Sequence, residues 1–169
     1  AQISMPVAAL TLVVAGVVGG VIGASAGYFG GWIDAMLMRV GDITLDLPSM
    51  LLAMAVAAAL GPGLTNAFIA IVVVWWPIYA RLVRGQILSI KEREHVLAAR
   101  AIGMGRLKIL RKHILPHAAS PVIVSATMDL GMIIILIASL SFLGLGAAPP
   151  SAEWGAMITD GAANFYQWW

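Results

Sequence analysis

The sequence predicts an all-α transmembrane protein, and two observations carry that prediction. Of its 169 residues, 61% are hydrophobic and 11% are charged, whereas soluble domains average about 25% charged residues. The hydrophobic residues form four long runs without the alternation of polar and apolar positions that membrane β-strands show over about ten residues. Because a membrane helix needs about 20 mostly apolar residues, each run is interpreted as one span.

The four predicted spans cover approximately residues 3–28, 43–60, 64–83 and 118–145. The first span carries glycines at four-residue spacing, namely Gly19, Gly23, Gly27 and Gly31. Gly16 and Gly20 lie beside this set. A stripe of small residues lets another helix backbone approach closely. The stripe therefore predicts close helix packing against a partner that the spacing does not identify.

An acidic helical face is predicted to lead into the second span, starting near Ile33. Asp34, Asp42 and Asp46 recur at multiples of four residues, which places three carboxylates on one side of a helix. We favour the interpretation that this face belongs to a helix at the membrane interface and is exposed to water. The alternative is that it lines the cytoplasmic entrance of a transport pathway. Pro48 predicts a kink or a helix start just inside the span.

The basic residues fix the predicted topology. Nine of the ten Lys and Arg residues lie within residues 81–112, and the tenth is Arg39. The positive-inside rule places such a segment in the cytoplasm, and the flanking apolar runs favour that interpretation over nucleic-acid binding. Counting spans from this segment places residues 61–63 and the segment 146–169 outside, together with both ends of the chain.

The cytoplasmic segment, residues 84–116, is predicted to hold two short helices separated by a glycine. Ser89 and Glu92 fit a capping box, and Gly103 suits the left-handed residue that ends a helix. A second, basic helix is expected from Arg106 to Leu115, ending before the proline that follows. The pattern alone fits a partner-binding element and an amphipathic helix on lipid headgroups equally well.

The fourth span contains Asp129, the one acidic residue deep inside an apolar run. A charged residue at such a depth costs about 2.5–3.5 kcal/mol on insertion scales, so it normally faces a bundle interior or water. A pathway or gate residue and a structural hydrogen bond to a neighbouring helix are both open interpretations.

Several chemical functions find no support in the sequence. No glycine is followed by lysine, so the phosphate-binding Walker A pattern is absent, and cysteine is absent as well. His113 and His117 have a spacing that can hold a metal, but Pro116 lies between them, and interfacial imidazoles are the favoured interpretation. We therefore expect no catalytic residues, no metal site and no cofactor.

The run 94–103 resembles the EAA signature of importer-type ABC permeases. That signature begins with Glu-Ala-Ala. Three residues later comes Gly, nine residues after that comes Ile, and Leu-Pro follows after one more residue. Five positions are in register, namely Ala98, Ala99, Gly103, Leu115 and Pro116. Leu97 stands where the signature has Glu, and His113 where it has Ile, which weakens any inference about a Glu contact.

A second resemblance narrows the family. Residues 140–146 read Leu-Ser-Phe-Leu-Gly-Leu-Gly, and a Pro-Pro pair and a Glu-Trp-Gly triplet follow within residues 149–155. These stretches, with residues 28–31 and 61–66, are similar to the second (C-type) subunit of dipeptide, oligopeptide and nickel importers. Such permeases have six spans. The resemblance therefore implies an importer-type helical bundle with a cytoplasmic coupling helix, of which this chain holds four spans, lacking the first and the last.

The resemblance implies a multi-pass permease subunit of the bacterial cytoplasmic (inner) membrane, not itself an enzyme, that forms half of a pathway for peptides or nickel. The implied partners are a second permease subunit, two ATPase subunits, an external solute-binding protein and the lipid bilayer, with no nucleic acid. The expected ATPase-coupling residues are Glu92, Val96, Leu97, Ala98, Ala99, Ile102 and Gly103, and the candidate pathway residues are Asp46 and Asp129. A membrane scaffold without transport activity is the alternative function.

Overall fold

The computed structural model describes residues 3–146 and 153–165, and all regular structure within these ranges is helical. The helices are α1 (Ser4–Phe29), α2 (Gly31–Leu45), α3 (Ser49–Leu60), α4 (Leu64–Ile90), α5 (Glu94–Ala101), α6 (Arg106–Ile109), α7 (Leu115–Phe142) and α8 (Trp154–Ala163). A π-helical turn, Leu110–Ile114, joins α6 to α7 without a break. The prediction of an all-α protein is confirmed.

Three continuous helices of the described residues are long and apolar enough to cross a membrane: α1, α4 and the helix Arg106–Phe142. A fourth candidate exists only if α2 and α3 are counted together as one broken span. Within the predicted span over residues 43–60, residues 46–48 separate α2 from α3. Pro48 is the N-cap of α3, so the predicted helix start at this proline is confirmed. The positions of the membrane boundaries stay a prediction.

The chain divides into two compact units. Of the described residues, the first unit contains 3–14, 47–74, 128–146 and 153–165, and the second contains 15–46 and 75–127. The basic segment and the acidic helix α2 therefore both lie in the second unit.

In the first unit, hydrogen bonds fix the turn between α3 and α4. Gly61 ends α3 with φ of 90°, a value that favours glycine. The Asn66 side-chain amide donates to the carbonyls of Leu60 and Gly61, at 3.0 Å in both cases. The Gly63 amide donates to the Leu145 carbonyl at 3.3 Å, so this turn lies beside the residues that follow α7.

The short helix α8 packs on the end of α7, also within the first unit. Buried Glu153 caps α8, since its Oε2 accepts from the amides of Gly155 and Ala156 at 3.1 and 3.3 Å. A side chain at Gly155 would overlap the Ala138 carbonyl, so glycine permits this close contact. No helix was predicted from the sequence in this segment.

In the second unit, α1 packs against α4 through its glycine stripe. A Cβ atom at Gly19 would lie 2.7 Å from Tyr79 Cβ, and one at Gly23 would lie 3.0 Å from Ala80 Cα. Gly27 makes a looser contact of the same kind. Close helix packing is thus confirmed for these three glycines, with α4 as the partner. Gly31 differs, because it begins α2 with φ of 59° and has no neighbour within 4 Å of a Cβ at its position.

Candidate functional site

The basic segment begins differently from the prediction. Helix α4 continues to Ile90 and α5 begins at Glu94, with Arg93 as its N-cap and no side-chain capping bond. The predicted capping box is therefore wrong, and Ser89 lies in the last turn of α4. Ile87 and Ile90 are both buried. Packing of their side chains therefore extends α4 past Ser89, where the capping box predicted a new helix.

The end of α5 matches the sequence prediction. Gly103 has φ of 77°, and its amide donates to the Arg100 carbonyl at 3.0 Å. The Met104 amide donates to the Ala99 carbonyl at 3.1 Å. This pair of bonds is a Schellman motif, in which the left-handed residue is normally glycine. The predicted role of Gly103 as the residue that terminates the helix is confirmed.

Helix α5 has a buried face and an exposed face. Val96 and Ala99 are buried and belong to one apolar cluster of the second unit, which includes Ala24, Val83, Ile87, Ile90, Ile109, Leu110, Ile114 and Ala118. The other expected coupling residues are exposed, namely Glu92, Leu97, Ala98, Ile102 and Gly103. Four of the seven residues therefore lie in α5, divided between its buried and exposed sides, whereas Glu92 precedes the helix and Ile102 and Gly103 follow it.

A groove of about 680 Å³ lies beside α5 within the second unit. Its lining residues are Tyr28, Phe29, Lys91, Glu92, Leu97, Arg100, Met104, Arg106 and Ile109. The Tyr28 hydroxyl donates to the Arg106 carbonyl at 2.7 Å, and the Lys91 ammonium donates to the Gly27 carbonyl at 3.5 Å. These two bonds attach the end of α1 to the basic segment on both sides of α5. Tyr28 was noted in the sequence only as part of a family resemblance, so its bond to Arg106 was missed.

The second predicted helix does not end before Pro116. The helix runs from Arg106 to Phe142, and in its π-helical turn the Leu115 amide donates to the Leu110 carbonyl. Pro116 has no amide hydrogen, so regular α-helical geometry would leave the Lys112 carbonyl without a donor. The wider turn lies directly before this proline, and π-helical turns occur mostly as single bulges of this kind inside α-helices.

The acidic helix α2 forms two ion pairs with α4. Asp34 accepts from Arg84 through both of its carboxylate oxygens, at 2.5 and 2.6 Å. Asp42 accepts from Arg81 at 2.5 Å. Sequence reasoning counted both arginines only as topology signals and missed these pairs. Asp46 caps the end of α2 and is exposed.

The remaining predicted candidates belong to other helices than α5. Half-buried Asp129 is in the first unit, whereas Asp46 is in the second, and their roles in a pathway stay predictions. The rings of His95 and His117 lie 5.3 Å apart, a proximity that the sequence spacing of His113 and His117 did not indicate. Among residues 3–146 and 153–165, no group of three or more His, Cys, Asp or Glu side chains could hold a metal.

Comparison with known proteins identifies the family. The sequence profile of binding-protein-dependent transport system inner membrane components matches residues 16–167. The chain belongs to this family. It is therefore an inner-membrane permease, and the prediction that it is not itself catalytic is confirmed.

The permease is similar to several curated bacterial proteins. It is 44% identical over 99% of its length to the probable D,D-dipeptide transport system permease protein DdpC of Escherichia coli. It is 50% identical over 79% of its length to the dipeptide transport system permease protein DppC of Alkalihalophilus pseudofirmus. It is 46% identical over 97% of its length to the glutathione transport system permease protein GsiD of Escherichia coli.

These relatives confirm the predicted resemblance to C-type permeases of peptide importers. The chain spans about half the length of each, covering 57% of DdpC, 44% of DppC and 54% of GsiD. The solutes and the partner subunits of the complete transporter are therefore proposals.

Proposed function

We propose that the permease forms half of a peptide-import pathway and that α5 is the coupling helix that binds a separate ATPase subunit. The single observation that carries the proposal is that α5 and its C-cap have a buried apolar side and an exposed side with two large apolar side chains. One face is buried within the second unit, and the other presents Leu97 and Ile102 at 49% and 79% exposure. Helix α5 is thus packed against the second unit on one side and exposed on the other.

The exposed face has the character of a small docking surface. Exposed Ala98 and Gly103 lie beside Leu97 and Ile102, so a partner can approach the backbone closely between two large apolar side chains. Apolar side chains that fill a pocket on a partner contribute a large share of binding free energy. The exposed residues therefore support an apolar groove on the ATPase as the binding partner of α5.

The buried face supports a route by which movement of α5 reaches the membrane helices. Val96 and Ala99 share one cluster with Ile87 and Ile90 of α4 and with Ile114, which directly precedes α7. Closely packed cores resist deformation, so displacement of α5 is expected to move the adjoining ends of α4 and α7. ATP binding can bias the transporter only if the two conformations of the ATPase bind α5 with different affinities.

The proposed solute class is peptides, supplied by an external solute-binding protein. The names of the three relatives refer to D,D-dipeptides, dipeptides and glutathione. A second permease subunit and two ATPase subunits complete the proposed transporter, which the family description of binding-protein-dependent transport supports.

The test compares exposed apolar residues on α5 and α6 in the full-length permease in nanodiscs. The double substitution Leu97→Gln and Ile102→Gln removes the exposed apolar side chains of α5 and of its C-cap, and Gln is a good helix former at position 97. We expect the affinity for the ATPase subunit to fall about tenfold or more, because two anchor side chains are lost. Biolayer interferometry with immobilised nanodiscs measures this affinity.

The matched control is Leu107→Gln, which replaces a residue of α6 that is 64% exposed and should leave the affinity unchanged. Ala99→Trp is not a suitable test, because Ala99 is buried and its replacement would displace α5 itself. Unchanged ATPase binding by the double variant, with unchanged thermal stability, would contradict the coupling role and favour the scaffold interpretation.

A further inference from the structure

We propose that the outer face of the helix start at residues 106–112 is a binding site for anionic phospholipid headgroups. Four exposed cations lie within seven residues there, namely Arg106, Lys108, Arg111 and Lys112. Together with Gly105 and Leu107 they line a shallow depression of the second unit. The inference is separate from ATPase binding by α5, and it rests on the proposed cytoplasmic location of this segment.

The four cations are not neutralised by the protein around them. The sequence has no acidic residue between Glu94 and Asp129. The ion pairs found in the described ranges join Arg81 to Asp42 and Arg84 to Asp34, and neither involves residues 106–112. A concentrated positive charge without internal counterions attracts anionic partners.

The opposite face of the same helix is anchored in the second unit. Ile109, Leu110 and Ile114 are buried in the apolar cluster beneath α5. This anchoring fixes the rotation of the helix and leaves Lys108, Arg111 and Lys112 exposed, whereas Arg106 also lines the groove beside α5. Leu107 is 64% exposed among them, which gives the basic face an apolar residue that can contact acyl chains.

The length of the helix places this face at the membrane surface. The continuous helix Arg106–Phe142 has 37 residues and is about 55 Å long at 1.5 Å per residue, whereas the hydrocarbon core is about 30 Å thick. Lys112 precedes Ala118, where the predicted span begins, by about 9 Å along the helix axis. Headgroups occupy a layer of similar depth, and long Lys and Arg side chains extend their charges toward it.

Charge and position together favour lipid over the ATPase as the occupant. A basic face contiguous with a membrane helix binds anionic lipid through several phosphate groups at once. Helix α5 presents its apolar residues on a separate element that ends at Gly103. The two surfaces therefore serve two partners, with lipid on the basic face and the ATPase on the apolar face.

The test measures lipid retained by the full-length permease purified with its partner subunits. The protein is equilibrated with mixed micelles of phosphatidylglycerol and phosphatidylcholine and repurified, and the bound lipids are quantified by mass spectrometry. We expect enrichment of phosphatidylglycerol that falls about tenfold or more in the triple variant K108Q/R111Q/K112Q, because each basic residue near the surface contributes to anionic lipid binding. Raising the salt concentration to roughly 0.5 M should reduce the enrichment as well.

Two further variants separate a local lipid site from a general effect of positive charge. The triple variant R39Q/R93Q/R100Q removes the same charge from exposed positions elsewhere and should retain the enrichment. The charge-retaining variant K108R/R111K/K112R should restore it. Retained enrichment in K108Q/R111Q/K112Q, equal loss in the control, or failure of the charge-retaining variant would each overturn the lipid site.

ATPase affinity, measured on the same proteins, distinguishes this inference from the coupling proposal. K108Q/R111Q/K112Q should bind the ATPase normally, whereas the α5 variant L97Q/I102Q should retain phosphatidylglycerol. Loss of ATPase affinity with unchanged lipid enrichment in K108Q/R111Q/K112Q would assign the basic face to the ATPase and overturn the inference.

Discussion

Helices α1 and α2 both pack on α4 in the second unit, but they do so by different means. Helix α1 approaches through Gly19, Gly23 and Gly27, with backbone close to backbone. Helix α2 contacts α4 through the side-chain ion pairs of Asp34 and Asp42, and buried Gly41 also packs on Pro77 of α4. The contact of α1 depends on the absence of side-chain atoms, whereas that of α2 also includes charges that solvent and salt can reach.

The difference indicates which of the two contacts can adjust without unfolding. A close contact between two backbones leaves no room for added atoms, so a larger side chain must displace one of the helices. The more exposed of the two ion pairs, Asp42 with Arg81, contributes little free energy and can exchange with water. We therefore expect α1 and α4 to behave as a fixed pair and α2 to be the more easily displaced helix.

The largest expected effect comes from Gly23→Ala. The added methyl group would overlap the Ala80 carbonyl, and overpacking of this kind costs typically about 1–3 kcal/mol; because the neighbour is backbone, we expect about 3 kcal/mol. The matched control is Gly20→Ala on the same helix, where the added group meets no atom within 4 Å. That control should be neutral or stabilising by up to about 1 kcal/mol. Denaturant unfolding in detergent micelles measures both, and equal effects would contradict the assigned contact.

A smaller loss is expected from Asp34→Asn. The Asp34 and Arg84 side chains are 17% and 34% exposed, and their bidentate pair is of the stronger type. Losing it leaves Arg84 without its carboxylate, at a cost of about 2 kcal/mol. A double-mutant cycle with Arg84→Met, followed by the same unfolding assay, isolates the pair. A coupling energy near zero would show that the two residues do not stabilise each other.

The smallest effect is expected from Asp42→Asn. Asp42 and Arg81 are 46% and 53% exposed, and such pairs contribute about 0–1 kcal/mol. The loss should shrink further at high salt, since exposed charges are screened. Comparing the free energies of unfolding of the variant and the parent at low and high salt tests this expectation. A larger loss for Asp42→Asn than for Asp34→Asn would reverse the proposed ranking of the two pairs.

Features set by local sequence were predictable. The apolar runs of α1 and α4, the glycine stripe and the role of Gly103 follow from composition and backbone preference, and the structure agrees with them. These signals act within a few residues of one another. They needed no knowledge of which helices lie side by side.

Features set by tertiary packing were not predictable. The capping signal at Ser89 lost to the burial of Ile87 and Ile90, which extends α4. The ion pair between Asp34 and Arg84 joins residues 50 positions apart, and no local pattern identifies such a partner. The same limit applied to α5, because an alanine in a signature does not reveal whether it faces the core or a partner. Ala98 is exposed and Ala99 is buried.

The π-helical turn Leu110–Ile114 determines how α6 is rotated about the helix axis relative to α7. A widened turn holds one more residue than an α-helical one, and one residue corresponds to about 100° of rotation in an α-helix. The bulge therefore sets the angle between Arg106 and Lys108 of α6, which precede it, and the apolar side chains of α7, which follow it. Removing one residue from the turn would rotate Arg106 and Lys108 by about 100° relative to α7, even if every other contact survived.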